Sequence, residues 1–272
     1  VTRTTLIRLV GVVAACAAVA AGFALVSSSA RSERSATAGA LIPSVRSEIL
    51  PFSGGTVHSR NWSGYAVRSQ SHNISGVTGT FVVPRAKGTP TGAAATWAGI
   101  GGFKTQDLIQ AGTGEDSLPS FLFGKKYFAW YEMLPHPEVP LHGCKGDAHC
   151  KVSPGNHMSV SIRNLGGNSW SIAVRNSGHW SWSKRVNYNS SRSSADWILE
   201  LPSCAFCLSL ADVGTVHFGP ASRYTTSGSS HTVRQGNPVK IILSGAAKPS
   251  ALGADGQSFN DCAYASGGCR RP

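Results

Sequence analysis

The chain has 272 residues, 41% of them hydrophobic, long enough for one large domain with a substantial core plus processing segments. Its formal net charge is +12, yet the basic residues are scattered, with no dense Lys/Arg block. That distribution argues against a nucleic-acid partner and leaves association with anionic cell-wall or membrane surfaces open.

The first thirty residues read as an export signal. Arg3 and Arg8 form a positive start, residues 9–26 are apolar and small, and Ser28-Ser29-Ala30 offers a small-x-small cleavage site. The apolar run approaches the length of a membrane span, so an N-terminal anchor is the alternative. No later stretch is long and apolar enough to span. The expectation is a secreted, extracellular protein with no stable membrane insertion once the signal is removed. Residues 31–60 are polar and small, with Pro43, Pro51 and Gly54-Gly55, and read as a pro-segment or flexible lead.

At Asn61 the texture changes. Short apolar runs at 79–83, 94–100, 108–112, 127–134, 157–162, 170–174, 197–201, 215–218 and 239–243 alternate with Gly, Ser, Asn and Pro clusters. This spacing predicts an all-β domain over 61–245, a sandwich or barrel, with no long helical period. Residues 246–272 are rich in Gly, Ser and Ala and read as a loosely packed tail.

Seven cysteines are present, and Cys16 leaves with the signal. The remaining six, Cys144, Cys150, Cys204, Cys207, Cys262 and Cys269, fall in close pairs. An even count in an exported chain reads as disulfides, with fifteen connectivities open from sequence alone. Cys204-Ala205-Phe206-Cys207 has redox or zinc spacing as well, but no helical or βαβ setting surrounds it. His136, His142 and His149 share a loop with Cys144 and Cys150; their spacing fits no standard zinc pattern, and no metal site is expected. Gly-x-Ser-x-Gly, His-Glu-x-x-His, the phosphate-binding Gly-Lys-Ser/Thr loop and Asp-Thr-Gly are all absent.

The remaining chemical signal is acid placed in apolar runs. Glu115, Asp116, Asp147, Asp255 and Asp261 read as polar-loop residues. Glu132 lies instead in Phe-Ala-Trp-Tyr-Glu-Met-Leu, and Asp196 and Glu200 in Asp-Trp-Ile-Leu-Glu. Strand parity puts Asp196, Ile198 and Glu200 on one face, opposite Trp197 and Leu199. It likewise groups Trp130 with Glu132, opposite Tyr131. One sheet face would then carry aromatics and acids, as a cleft for an extended polymer does. An ordinary half-exposed sheet with outward acids is the bland alternative.

Several segments, in order, resemble the glutamic peptidases (eqolisins). They are Asn-Trp-Ser-Gly-Tyr-Ala-Val from Asn61, Gly-Thr-Phe-Val-Val-Pro from Gly79 and Thr-Trp-Ala-Gly-Ile-Gly-Gly from Thr96. They continue with Leu-Ile-Gln-Ala-Gly from Leu108, Ala-Trp-Tyr-Glu-x-x-Pro from Ala129 and Ser-Ala-Asp-Trp-Ile-Leu-Glu from Ser194. The resemblance spans roughly 61–243. It implies an antiparallel β-sandwich of two large sheets and endopeptidase activity in acid on protein or peptide substrates, without metal or cofactor. It also implies Gln110 and Glu200 as the catalytic pair. Trp62, Trp97 and Glu132 are expected to contact substrate or support that pair, and a monomer is expected. Four positions depart from the family pattern: Asp196 stands for Glu, and Gly101, Gly114 and Phe128 stand where acids are found. The alternatives are a sandwich glycoside hydrolase using Glu132 and Glu200, or a lectin-like wall-binding module with no catalysis.

Overall fold

The computed structural model describes residues 55–87, 92–117, 125–203 and 209–272. The expected signal peptide, residues 31–54 of the expected lead and the Cys204/Cys207 pair lie outside the described residues.

The chain runs through β1 (Thr56–Ser59), β2 (Trp62–Arg68), β3 (Ile74–Val82), β4 (Gly92–Ala93), β5 (Ala95–Gly101), β6 (Leu108–Ser117) and β7 (Lys125–Met133). It continues with β8 (Val139–Pro140), β9 (His157–Gly166), β10 (Ser169–Asn176), β11 (Trp180–Asn187), β12 (Ser194–Glu200) and β13 (Ser209–Leu210). It ends with β14 (Thr215–Phe218), β15 (Arg223–Thr226), β16 (Ser229–Thr232), β17 (Val239–Leu243), β18 (Ala247–Pro249) and β19 (Phe259–Ala263). Among the described residues the one helical piece is a 3-10 turn, Val233–Gly236.

Two layers result. The front sheet runs β1–β17–β2–β12–β5–β6–β7–β8, antiparallel except for the β1–β17 pair. The back sheet runs β11–β10–β9–β3, and β3 is extended by the β15–β16 hairpin and by β14–β19–β18. Strands β9 and β10 alternate over most of their length. In β9, Met158, Val160 and Ile162 are buried while Arg163 is exposed. That is the period-2 signature of a sheet with one wet face. The inward side chains meet Ala98, Ile109, Ala111, Tyr131, Trp197 and Leu199 of the front sheet in one core. Trp197 also donates its indole N–H to Thr78 O at 2.7 Å, tying the layers together. Filling this interior with large apolar side chains contributes about 1.5–3 kcal/mol per residue.

Two stretches differ from the sequence expectation. The 246–272 segment is no loose tail: β18 and β19 complete the back sheet, and Phe259 stacks on Phe218 at 4.5 Å. Its Gly/Ser composition hides one fully buried strand. Likewise the last residues of the expected lead form β1, so the domain begins before Asn61. Glu115, Asp116 and Asp261 are strand residues with 0–2% exposure rather than loop acids. The small polar residues around Glu115 and Asp116 disguise a strand that the partner β7 extends and covers.

Candidate active site

Strands β12 and β5 are buried along their whole length and β2 from Trp62 to Val67, on both faces. One face meets the interior. The other carries a second cluster that includes Trp62, Ala66, Ala95, Trp97, Leu108, Trp130 and Ile198. Register sorts this front face into three rows, because directly paired residues share a face. The first row is Glu132–Gln110–Gly99–Asp196–Ala66. The middle row is Trp130–Gly112–Trp97–Ile198–Gly64. The third is Phe128–Gly114–Ala95–Glu200–Trp62. The parity read from sequence therefore holds for every strand involved.

Trp97 links the outer two rows. Its indole Nε1–H donates to Glu200 Oε2 at 2.7 Å. A Cβ built at Gly99 would lie 3.0 Å from Trp97 Cζ3 and 3.0 Å from Gln110 Cβ, so the ring and the base of Gln110 both border the space over Gly99. Gln110 Nε2 donates to Glu132 Oε2 at 2.5 Å. Trp62 packs edge-on against Trp97, with centroids 4.9 Å apart at 78°, a favourable aromatic geometry. The structure thus gathers Trp62, Trp97, Gln110, Glu132 and Glu200 on one face, two of them in direct contact with Trp97. All five have 0% exposure in this chain.

Close approach explains Gly112. A Cβ there would sit 2.1 Å from Thr96 O and 2.6 Å from Trp97 Cβ. Gly112→Ala is expected to displace Trp97 and to cost about 1–3 kcal/mol through overpacking. Urea denaturation checks the stability loss, and indole fluorescence checks the ring's displacement.

The acids that depart from the family pattern are partly replaced in space. At Gly101 (φ +88°) a Cβ would fall 2.7 Å from Asp107 Oδ2, so the Asp107 carboxylate occupies that position. Asp107 is held there by Ser191 N–H at 2.6 Å and the Ser190 hydroxyl at 3.2 Å. At Gly114 a Cβ would fall 2.4 Å from Phe128 Cζ; the Phe128 ring lies over the glycine and forms a half-buried edge of the aromatic face. Neither residue was singled out for this role by sequence, because both act through a cross-strand neighbour.

Burial governs the other acids. Asp196 accepts from the Ser194 hydroxyl at 2.9 Å, and loss of hydration pushes its carboxyl well above the usual range. Desolvation also raises Glu115 strongly, opposed by hydrogen bonds from Thr113 and Thr96. Asp116, facing the same side as Gln110, is raised to about 6, with Lys126 opposing the shift. Cys144–Cys150 and Cys262–Cys269 are disulfides. Exposed His136, His142 and His149 join no group of three or more potential metal ligands among the described residues.

Comparison with known proteins agrees with this architecture. Similar solved structures are scytalido-glutamic peptidase with a transition-state analog inhibitor, and the same enzyme with a peptide-based analog. Each is 21% identical, covers 75% of this chain and 98% of its own, and has a TM-score of 0.60. SCP-B, an eqolisin in complex with the tripeptide Ala-Ile-His, matches over the same shares at 21% identity and a TM-score of 0.57. No curated protein sequence is matched. The model of the Peptidase A4 family matches residues 60–262, from the end of β1 into β19 and across every strand of the aromatic-and-acid face. A two-sheet sandwich that holds Gln110 and Glu200 on one face is thus matched along most of its length, and the chain belongs to the Peptidase A4 family, the glutamic peptidases.

Proposed function

We propose that this peptidase is a secreted acid endopeptidase that uses Glu200 and Gln110 to drive attack of water on a peptide carbonyl. The observation that carries the reading is the pair of hydrogen bonds on the front face, Trp97 to Glu200 and Gln110 to Glu132. As a carboxylate, Glu200 removes a proton from water as the water attacks, then returns it to the leaving amine. The Gln110 amide donates to the developing oxyanion. Trp97 fixes one Glu200 oxygen, which aims the other. Glu132 holds one N–H of the Gln110 amide and so orients the second. Such preorganisation on rigid strands gives the pair its precision. Trp62 and Trp130 carry buried indole N–H groups without partners among the described residues, and Gln110 Oε1 is in the same position. A peptide main chain offers complementary acceptors and donors.

A glycosidase mechanism needs two carboxyls facing one sugar across an open gap. Here Gln110 on β6 and Trp97 on β5 stand between Glu132 on β7 and Glu200 on β12. That arrangement favours the peptidase.

The composition of the lead suits a pro-segment removed on processing. β1 belongs to the front sheet, so the cut falls upstream of Thr56 rather than after Arg60. The test is incubation of the secreted protein at about pH 3, with casein digestion and N-terminal sequencing followed together. Casein cleavage should begin as a new terminus appears between residue 31 and Gly55. Full activity with residue 31 still at the terminus would overturn the processing step, and intact casein after processing would overturn the peptidase reading.

A further inference from the structure

Charge in this protein is sorted by depth. Among the described acids only Asp107, Asp147, Asp212 and Asp255 escape burial, whereas no Lys or Arg of described burial is buried. The surface is therefore more cationic than a net charge of +12 conveys.

The sorting is sharpest on the outer face of the back sheet. β3, β9, β10, β11, β15 and β16 contain no Asp or Glu. Their outward residues form rows of small polar side chains. Thr80, Ser159, Arg175 and Ser181 align in one row, and Thr78, Ser161, Ala173 and Ser183 in the next. In a third row Ser171 is flanked by Arg163 and Arg185. Lys145 bridges to Ser181 from the Cys144–Cys150 loop. Arg163, Arg175, Arg185 and Lys145 are exposed, and none has a side-chain hydrogen bond or ion pair with a described residue. Arg163 and Arg185 are two strands apart, roughly 10 Å, and Arg175 lies roughly 13 Å further along β10. A shallow groove of about 540 Å³ bordered by Arg175 and Lys145 crosses this face. The acid nearest in sequence, Asp147, is engaged by the N–H groups of His149 and Lys151. His157 also lies on this side of β9.

We infer that this face docks the enzyme on a phosphodiester-linked polyanion of a cell surface. Arg forks and hydroxyl rows suit phosphate oxygens repeated along a chain. The groove's aromatic lining residue, Trp182, is stacked on Tyr131 at 5.2 Å and packs against the core, so it does not stand out as a platform for bases. Leu165 of β9 is the exposed large apolar side chain of these strands, and a single such residue is too little to hold the face in a bilayer. The choice of phosphate over carboxylate rests on the acid-peptidase reading. Near pH 4 ordinary carboxylates lose about half of their charge, while a phosphodiester, a strong acid, keeps it. An anchor used in acid needs a partner that stays anionic there.

The test uses the Glu200→Gln protein, so its outcome does not depend on catalysis. Binding to poly(glycerol phosphate) is measured against salt concentration at about pH 4 and about pH 7, with poly-glutamate and duplex DNA alongside. Changing Arg163, Arg175 and Arg185 together to Ser should weaken binding at least tenfold and flatten the log K against log salt slope by about 2. A control with Lys104, Arg270 and Arg271 changed to Ser removes equal charge and should bind within twofold of the parent. In an active background, both triple variants should hydrolyse soluble peptides as the parent does. No binding, equal loss in the control, or tighter binding to poly-glutamate or DNA at about pH 4 would each overturn the proposal.

Discussion

Glu200→Gln is expected to slow peptide hydrolysis in acid by roughly 10³–10⁴-fold while leaving the fold intact. Glutamine keeps the length of the side chain and an acceptor for the Trp97 indole, which sits 2.7 Å away in the parent. The change therefore removes the proton-transfer group without emptying space in the sheet. Gln110→Ala should cost about 10²–10³-fold, the usual loss for one oxyanion donor. Glu132→Gln should lower kcat about tenfold with little change in KM, because it disturbs only the orientation of the Gln110 amide. Steady-state kinetics on a peptide near pH 3, with near-UV circular dichroism as the folding control, reads all three. A well-folded Glu200→Gln variant of normal activity would refute the mechanism. Greater dependence on Glu132 than on Gln110 would point to the glycosidase instead.

The second large effect is loss of stability as pH rises. Asp261 is wholly buried between the sheets, where it accepts the Ser63 hydroxyl at 2.7 Å, and desolvation raises it from 3.8 to about 8 despite that bond and Lys240. Below about pH 4 the group is protonated both folded and unfolded and contributes nothing to the pH dependence. Between about pH 4 and about pH 8 the unfolded chain ionises it and the folded chain does not. The unfolded state then binds fewer protons, so stability falls as pH increases. For Asp261 the loss across that window is about 5 kcal/mol at 1.36 kcal/mol per unit. Asp116 acts in the same direction up to about pH 6, and Glu115 and Asp196, both raised, add to it. Urea denaturation at about pH 4 and about pH 8 should show a marked drop in the midpoint. Asp261→Asn should remove much of it. A midpoint that rises with pH would contradict the sign.

The parts of this fold legible in the sequence were those with unmixed patterns. The short apolar runs at 157–162 and 170–174 marked two strands, and parity alone placed Glu200 with Ile198 and Glu132 with Trp130. Other features depend on pairings between distant segments, which no local pattern records. Asp261 reads as a loop acid until β19 is seen between β14 and β18. Phe128 reads only as a departure, and Asp107 carries no signal, until Gly114 and Gly101 are seen beneath them. The link from Trp97 to Glu200 spans 103 positions and follows from the β5–β12 register alone.

The position of β2 has a consequence for biosynthesis. This early strand lies between β17 and β12, so both of its neighbours are made late, after residue 193. Contacts of such long sequence separation form slowly. A nascent chain lacking residues 239–243 can already pair β12, β5 and β6, which carry Glu200 and Gln110, but β1 has no partner and β2 keeps one edge open. That edge of the front sheet is closed only near the end of synthesis.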